Sequence, residues 1–314
     1  MLKSFLAASA ALSLVACVKQ DEVPQDLDKA LPTADQVSIK LKDSAGAAAR
    51  AVQQDAVGQL ASYYVATRDV TRTFNGGSGW VLVLIHAIVK FPVTSSHGDT
   101  LTWGPWSDAL SPAEYKLDVR VVGDGTYEYK LSGRSKIQAG AQFEVVIDGK
   151  ADPRAGENKG SGQFLIDFDA GKRVNPVDGG NDKGSVDVHY DLAQRHLDLM
   201  IMTTDAQGHP VAADYAYNDT ADGAGNMVFD FSTNVGGGPA LETATLRSRW
   251  LATGAGRTDA RIAGGDLGTA QATASECWST SFARVYYTDS NNFQPTEGSV
   301  AACAYATADL PAPK

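Results

Sequence analysis

The residues best suited to chemistry lie in the stretch VDVHYDLAQRHLDLM at 186–200. Successive side chains of a β-strand point to opposite faces, so Asp187, His189 and Asp191 would share one face. A tight turn in the middle of the stretch would then pair Asp191 with His196 and His189 with Asp198. The pattern predicts a hairpin with two imidazoles and three carboxylates on one side.

This hairpin patch allows two interpretations. Imidazole and carboxylate groups bind Zn²⁺ and related ions, and a His–Asp pair is half of a general-base arrangement. A metal-dependent hydrolase is therefore one hypothesis, with His189, His196, Asp187, Asp191 and Asp198 as metal ligands. The other is cross-strand charge pairing on a solvated face, which contributes a few tenths of a kcal/mol. No Gly-x-Ser-x-Gly or His-Glu-x-x-His sequence accompanies the patch, so no catalytic residue is assigned.

Two further pairs are candidates for contact with a ligand. Trp103 and Trp106 flank the Gly-Pro step of TWGPW, where they would either grip a glycan or apolar ligand or be buried at the mouth of a barrel. Burial is the favoured alternative. Met200 and Met202 continue the face of His196, and thioethers there indicate a face that is partly covered or borders a cavity.

The elements that carry these residues have a hydrophobic period of two from residue 115 onward. In YKLDVRVV and TYEYKL apolar and charged residues alternate, and in QFEVVID the same alternation predicts Phe143, Val145 and Ile147 on one side. Asp-Gly steps separate the runs, and the pattern predicts roughly ten to twelve antiparallel strands. A long meander protects its edges by closing or half-closing. The sequence predicts a mainly β, up-and-down, barrel-like domain over 93–314, either closed or half-open.

A helical segment is expected before the strands, over residues 45–92. Val57, Leu60, Ala61 and Tyr64 recur at three- and four-residue spacing, as one helix face requires. The apolar stretch at 79–91 ends before Pro92 and predicts a second helix, buried nearly all round. We expect this segment to pack on the sheet as a plug or lid, so that 45–314 folds as one unit.

The N-terminus has the features of an export signal. Lys3 precedes an apolar run from Ser4 to Val15, shorter than the roughly 20 residues that a membrane-spanning helix needs. The sequence Leu14-Val15-Ala16-Cys17 resembles the lipobox of bacterial lipoprotein precursors. The resemblance implies removal of residues 1–16, a diacylglycerol on Cys17 and an acyl chain on its new amino group. Residues 17–44 then read as a tether, with VSIKLK at 37–42 as a candidate first strand.

The mature chain also resembles a group of bacterial envelope lipoproteins. The resemblance rests on the order of the lipobox, the helical segment, LTWGPWSDAL at 101–110 and GTYEYKLSGR at 125–134. It implies serial β-hairpins behind a helical segment and carries no activity. By shape alone, a half-open barrel with a helical lid is similar to periplasmic lipoprotein carriers.

Charge and cysteine content restrict the compartment and the partners. A formal net charge of −10 argues against nucleic acid, which requires clustered Lys and Arg. With Cys17 acylated, Cys277 and Cys303 remain as a disulfide in an oxidising compartment, or as two free buried thiols. No cofactor other than the covalent lipid is expected.

These features describe a lipid-anchored protein of the cell envelope. Val18 after the lipidated cysteine favours the outer membrane, by resemblance to enterobacterial sorting rules. The favoured function is non-catalytic: binding a hydrophobic small molecule or an envelope protein, or serving as a structural module. The metal-dependent hydrolase remains the alternative.

Overall fold

The computed structural model describes residues 56–71, 93–107, 109–156, 159–177, 183–204 and 210–312. Cys17, the predicted tether, the predicted first strand at 37–42 and the predicted helix at 79–91 lie outside these ranges.

In the described residues, one antiparallel sheet of 15 strands forms the body of the protein, and its spatial order is the order of the sequence. The strands are β1 (Ser95–His97), β2 (Thr100–Trp106), β3 (Ala113–Val121), β4 (Tyr127–Ser135), β5 (Glu144–Asp152), β6 (Ser161–Asp167), β7 (Ser185–Asp191), β8 (His196–Thr204), β9 (Pro210–Asp219), β10 (Gly225–Thr233), β11 (Glu242–Trp250), β12 (Gly256–Ala263), β13 (Gln271–Trp278), β14 (Arg284–Asp289) and β15 (Glu297–Gly298). The predicted mainly β, up-and-down architecture is confirmed.

Among the described strands, the sheet is open rather than closed. Within the described residues β1 pairs only with β2, and β15 pairs only with β14. Both edge strands are short, three and two residues. Short edge strands present few unpaired backbone groups, which limits edge-to-edge association with another chain.

Helical structure is limited in the described chain. Helix α1 covers residues 62–71, and α2 covers Phe168–Val174, where the Asp167 carboxylate caps the first turn by accepting from the Ala170 amide. Within the described residues, 3₁₀ turns lie at Gly265–Leu267 and Val300–Ala302. The second falls in VAACAYA at 300–306, which has the alternation of a strand but forms none.

Helix α1 begins later than the spacing of apolar residues predicts. Residues 56–61 run alongside the start of β14 instead: the Gly58 amide donates to the Arg284 carbonyl, and the Ala61 amide donates to the Phe282 carbonyl. Val57 therefore lies in a turn and is 49% exposed, whereas Tyr64 is fully buried on the helix. The strand-like pairing competes with the helix for the same backbone groups and fixes its start.

The hydrophobic core lies on one face of the sheet, which we call the inner face. Antiparallel register aligns its residues into rows that cross the strands. One row consists of Leu101, Val119, Tyr129, Gly149, Phe164, Val188, Leu199, Tyr215 and Phe229. Burial of these side chains from water supplies the main driving force for folding.

Helix α1 packs on the inner face at the C-terminal strands. The Tyr64 ring stacks on Phe282 with ring centroids 4.4 Å apart and lies near Trp278. The Thr67 hydroxyl lies 2.7 Å from the Ser248 hydroxyl and 3.1 Å from that of Thr258. The helical element thus covers β11–β13 from the inside, as expected of a segment packed on the sheet.

A β-bulge changes the predicted face of one strand. Leu131 pairs with Ile147, but the next residue, Ser132, pairs with Val145, so Val146 is an extra residue in β5. Val146 and Ile147 are both buried, while Val145 is 41% exposed. The prediction that Phe143, Val145 and Ile147 share one side is therefore wrong. A bulge shifts the alternation by one residue, and every side chain before it changes face.

Aromatic side chains of the inner face lie directly over glycines of the neighbouring strand. Five such pairs are register partners: Tyr115 and Gly133, Tyr129 and Gly149, Tyr190 and Gly162, Trp250 and Gly225, and Trp278 and Gly256. At each of these glycines, a Cβ atom would lie less than 3.0 Å from the opposing ring. The rings thus take the space that side chains would fill, and they cover the glycine backbone.

Gly149→Ala should destabilise the protein by about 1–3 kcal/mol, because the methyl group overpacks a buried ring. The three heavy atoms nearest to the added Cβ all belong to Tyr129, which is 1% exposed. Urea unfolding of the variant measures the loss. Gly123→Ala is the matched control, since nothing lies within 4 Å of its Cβ. Equal free energies of unfolding for the two variants would contradict the pairing.

Candidate functional site

The predicted hairpin of β7 and β8 forms with the predicted register. Asp191 pairs with His196 and His189 pairs with Asp198 across the two strands. The contacts between histidine and aspartate side chains nevertheless lie within one strand rather than across the two strands. The His196 Nε2 lies 2.6 Å from Asp198 Oδ2, and the His189 Nε2 lies 3.4 Å from Asp187 Oδ2.

The patch therefore consists of two separate His–Asp pairs. His196 also places Nδ1 2.7 Å from the Asn218 side-chain oxygen, so both of its ring nitrogens face oxygen atoms. Among the described residues, no three His, Cys, Asp or Glu side chains come together to hold a metal ion. The geometry corresponds to charge pairing along a solvated face.

Protonation of His196 is favoured by its neighbours. Partial burial lowers the pKa of the imidazole, but hydrogen bonds to Asp198 and Asn218 and the charges of Asp198 and Asp191 raise it by more. The net result is a raised pKa. A group whose pKa is raised in the folded state stabilises the fold at low pH, and this contribution disappears as pH rises through the folded-state pKa.

His196→Gln should reduce the pH dependence of stability on the alkaline side of the ordinary histidine pKa. Between about pH 5.5 and about pH 8.5 the wild type should lose somewhat more stability than the variant, by less than about 1 kcal/mol because the side chain is partly exposed. Urea unfolding at the two pH values measures this. His189→Gln is the matched control, since its 53% exposed side chain makes a 3.4 Å contact. Identical pH slopes for wild type and H196Q would contradict the assignment.

Two open grooves border the patch on the outer face. One, of about 440 Å³, is lined by polar residues that include Lys150, Gln163 and His196. The other, of about 570 Å³, is lined by residues that include Met200, Asp214, Asp230 and Pro311. The sequence predicts Met200 on a face that is partly covered or borders a cavity. Met200 lines this groove, and its side chain is 51% exposed. Met202 is 58% exposed.

The two tryptophans of TWGPW are not both exposed, as contact with a glycan or an apolar ligand at the surface would require. Trp103 is 2% exposed on the inner face, and Trp106 is partly buried against the core. The strand shifts register between them, after a cis Gly104–Pro105 bond. Burial, the favoured alternative, is what the structure shows.

A buried ion pair beneath α1 is a feature that sequence reasoning missed. Arg284 Nε lies 2.5 Å from Glu276 Oε1, and both side chains have no solvent exposure. The other Glu276 oxygen accepts from the Tyr63 amide at 2.5 Å and from the Ser62 hydroxyl at 3.3 Å. Glu276 thereby satisfies one of the free amides at the helix N-terminus, where a negative charge is also favoured by the helix dipole.

A second missed cluster lies on the outer face of β11 and β12, beneath the C-terminal segment 303–312. Arg247, Arg249, Arg257 and Arg261 surround the buried Asp259. Three of the guanidinium groups donate to main-chain carbonyls of the segment, Arg257 to Tyr305, Arg249 to Thr307 and Arg261 to Pro311.

Asp309 and a disulfide complete this contact. The Asp309 carboxylate lies 3.0 Å from Arg247 and 3.7 Å from Arg249. At the start of the segment, Cys303 forms a disulfide with Cys277. The predicted disulfide is confirmed, and the alternative of two free thiols is set aside.

Comparison with known proteins places the chain in no family. No protein-family model matches it, and neither curated proteins nor solved structures show a match. In the part of the chain that the structure describes, no helix is long and apolar enough to cross a membrane.

Proposed function

We propose that this protein is a lipid-anchored module of the bacterial cell envelope that acts by binding. The sequence Leu14-Val15-Ala16-Cys17 at the end of a short apolar run carries the proposal. Each buried methylene of an acyl chain contributes about 0.8 kcal/mol, so two or more chains hold a protein stably at a membrane.

The disulfide supports a location outside the cytoplasm. Cys277 is fully buried and bonded to Cys303, which lies 26 residues later in the chain. Structural disulfides persist in oxidising compartments and are rare in the cytosol of mesophiles. The lipobox resemblance and the disulfide are independent features, and both favour export.

The arrangement of charged groups favours binding over hydrolysis. His196 contacts oxygen acceptors through both ring nitrogens, and His189 lies against Asp187. An imidazole that donates through both nitrogens offers no lone pair to a metal ion or a substrate proton. In this patch His196 is held between oxygen atoms of Asp198 and Asn218 rather than presented to a metal ion or a substrate.

An amphiphilic ligand on the inner face is a second candidate, favoured by a specific observation. The hydroxyls of Tyr129 and Tyr190 and the indole nitrogen of Trp250 are buried and have no hydrogen-bond partner in the described chain. Buried polar groups normally find partners, and each exception needs an explanation. A bound molecule with apolar chains and acceptor oxygens would supply these partners. Native mass spectrometry of the purified protein would detect it.

Metabolic labelling tests the anchor. Bacteria that express the chain are grown with radiolabelled palmitate, and the protein is isolated with its signal processed. We expect label on the wild type, no label on Cys17→Ser, and a mature N-terminus at Cys17. An unlabelled wild type, or a mature N-terminus elsewhere, would refute the proposal.

A further inference from the structure

The up-and-down topology divides the connections into two opposite rims of the sheet. The first, which we call the Leu110 rim, contains the described residues of six connections, namely 107 and 109–112, 136–143, 168–177 and 183–184, 234–241, 264–270 and 290–296. The second, the Asp124 rim, contains 98–99, 122–126, 153–156 and 159–160, 192–195, 220–224, 251–255 and 279–283. Because strand direction alternates, every second connection falls on the same rim.

Exposed apolar side chains concentrate on the Leu110 rim. Leu110 is 96% exposed, Phe293 78%, Val177 71% and Ile137 62%, the four largest exposures among the large apolar residues of the described chain. Val235 is 57% exposed in the 234–241 connection. Five separate connections of this rim thus present one strongly exposed apolar side chain each.

The Asp124 rim differs in composition. Its turns are built from Gly, Asp, Thr and Ala, as in VGDGT at 122–126 and TADGA at 220–224. Among its described residues the exposed large apolar side chain is Leu251, at 38%. Single exposed apolar residues are ordinary on protein surfaces, but the position of the four most exposed ones on a single rim is not.

We propose that the Leu110 rim is a membrane-contact surface that inserts its apolar loop tips into the lipid interface. The inference rests on the proposed function, which keeps the body of the protein near a membrane through Cys17. Leu110 and Ile137, and Ile137 and Val177, are separated by two strands, or roughly 10 Å along the edge of the sheet; Val177 and Val235, and Val235 and Phe293, are separated by four. The exposed apolar side chains therefore form a row of separate contacts rather than one continuous apolar patch.

A lipid surface fits such a row better than a protein partner does. A protein would need a matching pocket for each tip over the whole width of a multi-stranded sheet, whereas a bilayer is laterally continuous and fluid. Insertion is shallow, because the loop backbone has polar groups that the hydrocarbon region cannot satisfy. Interfacial segments of this type lie roughly 5–10 Å deep, at the headgroup boundary.

Charge does not select the lipid. The connections of the Leu110 rim contain both basic residues, such as Lys136 and Arg173, and acidic ones, such as Asp169 and Asp266. A mixed rim gives little net attraction to anionic headgroups. Contact should therefore occur on zwitterionic phosphatidylcholine and change little with salt, because the apolar tips supply the binding energy.

Depth-dependent fluorescence quenching tests the contact. The full chain with Cys17→Ser has no thiol outside the disulfide, and a single bimane-labelled cysteine is added as Ile137→Cys or, for comparison, Asp222→Cys on the opposite rim. Phosphatidylcholine vesicles with brominated acyl chains should quench the label at 137 and leave the label at 222 unchanged. Equal quenching at both positions, or none at either, would overturn the proposal.

A triple variant identifies the source of the binding. Adding Leu110→Ser, Val177→Ser and Phe293→Ser to the Ile137 label should raise the lipid concentration for half-maximal quenching roughly thirtyfold. Leu251→Ser is the control and should leave it unchanged. The proposal would be overturned if the triple variant had the same half-maximal lipid concentration as the chain labelled at Ile137 alone. It would also be overturned if sedimentation velocity showed that the three substitutions abolish self-association of the protein. Because these chains carry no acyl group, the result does not depend on the palmitate experiment.

Discussion

Replacing Glu276 with methionine should lower the free energy of unfolding by about 3–5 kcal/mol, because it leaves the Arg284 charge buried without its main partner. Both side chains are completely buried and joined at 2.5 Å. Methionine has a similar length to glutamate and fills most of the same space. The loss would therefore come from the uncompensated charge rather than from a cavity.

The same substitution should release helix α1. The Glu276 carboxylate accepts from the Tyr63 amide, and α1 and the segment 56–61 are tied to β14 at this point. Without the carboxylate, the free amides of the first helical turn lose an acceptor. Hydrogen exchange at residues 62–71 should rise more than exchange in the central strands β4–β8.

A double variant separates the charge effect from the packing effect. Glu276→Met combined with Arg284→Met removes both charges, and apolar replacement of a whole buried pair is often neutral or stabilising. We expect the double variant to be more stable than E276M in urea unfolding. Asp152→Asn serves as the exposed control, because its ion pair with Arg154 is solvated and worth at most about 1 kcal/mol. If E276M differed from wild type no more than D152N does, the ion pair would have no structural role.

The sequence predicts the strands and one hairpin register because these depend on local patterns. Alternation in SVDVHYD and HLDLMIMT, with a short turn between them, places Asp191 opposite His196, as the structure shows. It does not predict that the His196 side chain contacts Asp198 on its own strand. The other ring nitrogen of His196 contacts Asn218 in β9, which lies outside this hairpin. Register is a backbone property, whereas side-chain partners depend on the next strand as well.

The two buried charge clusters could not be predicted from local sequence. Arg257, Asp259 and Arg261 alternate as on a solvated strand, and only residues about 50 positions later cover them. Glu276 lies on the inner face because of the register of β12 with β13, which pairs it with Thr258. Neither the covering segment nor the register with the neighbouring strand can be predicted from the sequence of a single strand. The bulge at Val146 likewise has no local sequence signal.

Removing the disulfide should cost about 3.5 kcal/mol of unfolding free energy. The Cys277–Cys303 bond closes a loop with a sequence separation of 26 residues, and the chain-entropy model gives about this value for such a loop. The variant is Cys277→Ala with Cys303→Ala, made in the Cys17→Ser background so that no thiol remains. Urea unfolding of this variant and of C17S alone measures the difference.

The disulfide should also decide whether the C-terminal segment stays on the arginine cluster. Segment 303–312 is otherwise held by guanidinium contacts to its carbonyls and by Asp309. These contacts are partly exposed, so each is worth little without the covalent bond. Hydrogen exchange at 304–312 should therefore increase strongly in the double alanine variant, whereas in Asp309→Asn, the control that keeps the disulfide, it should increase only slightly.

The two measurements together distinguish a global from a local role of the bond. If the segment detaches in the native state of the variant, Asp259 and the surrounding arginines become exposed to water before the sheet unfolds. The amides of segment 304–312 then exchange faster than those of the strands. If the arginine contacts alone hold the segment, exchange stays at the level of C17S, and the stability loss reflects the unfolded chain only. A loss of less than about 1 kcal/mol with unchanged exchange would contradict both roles, because the loop-closure entropy alone exceeds that value.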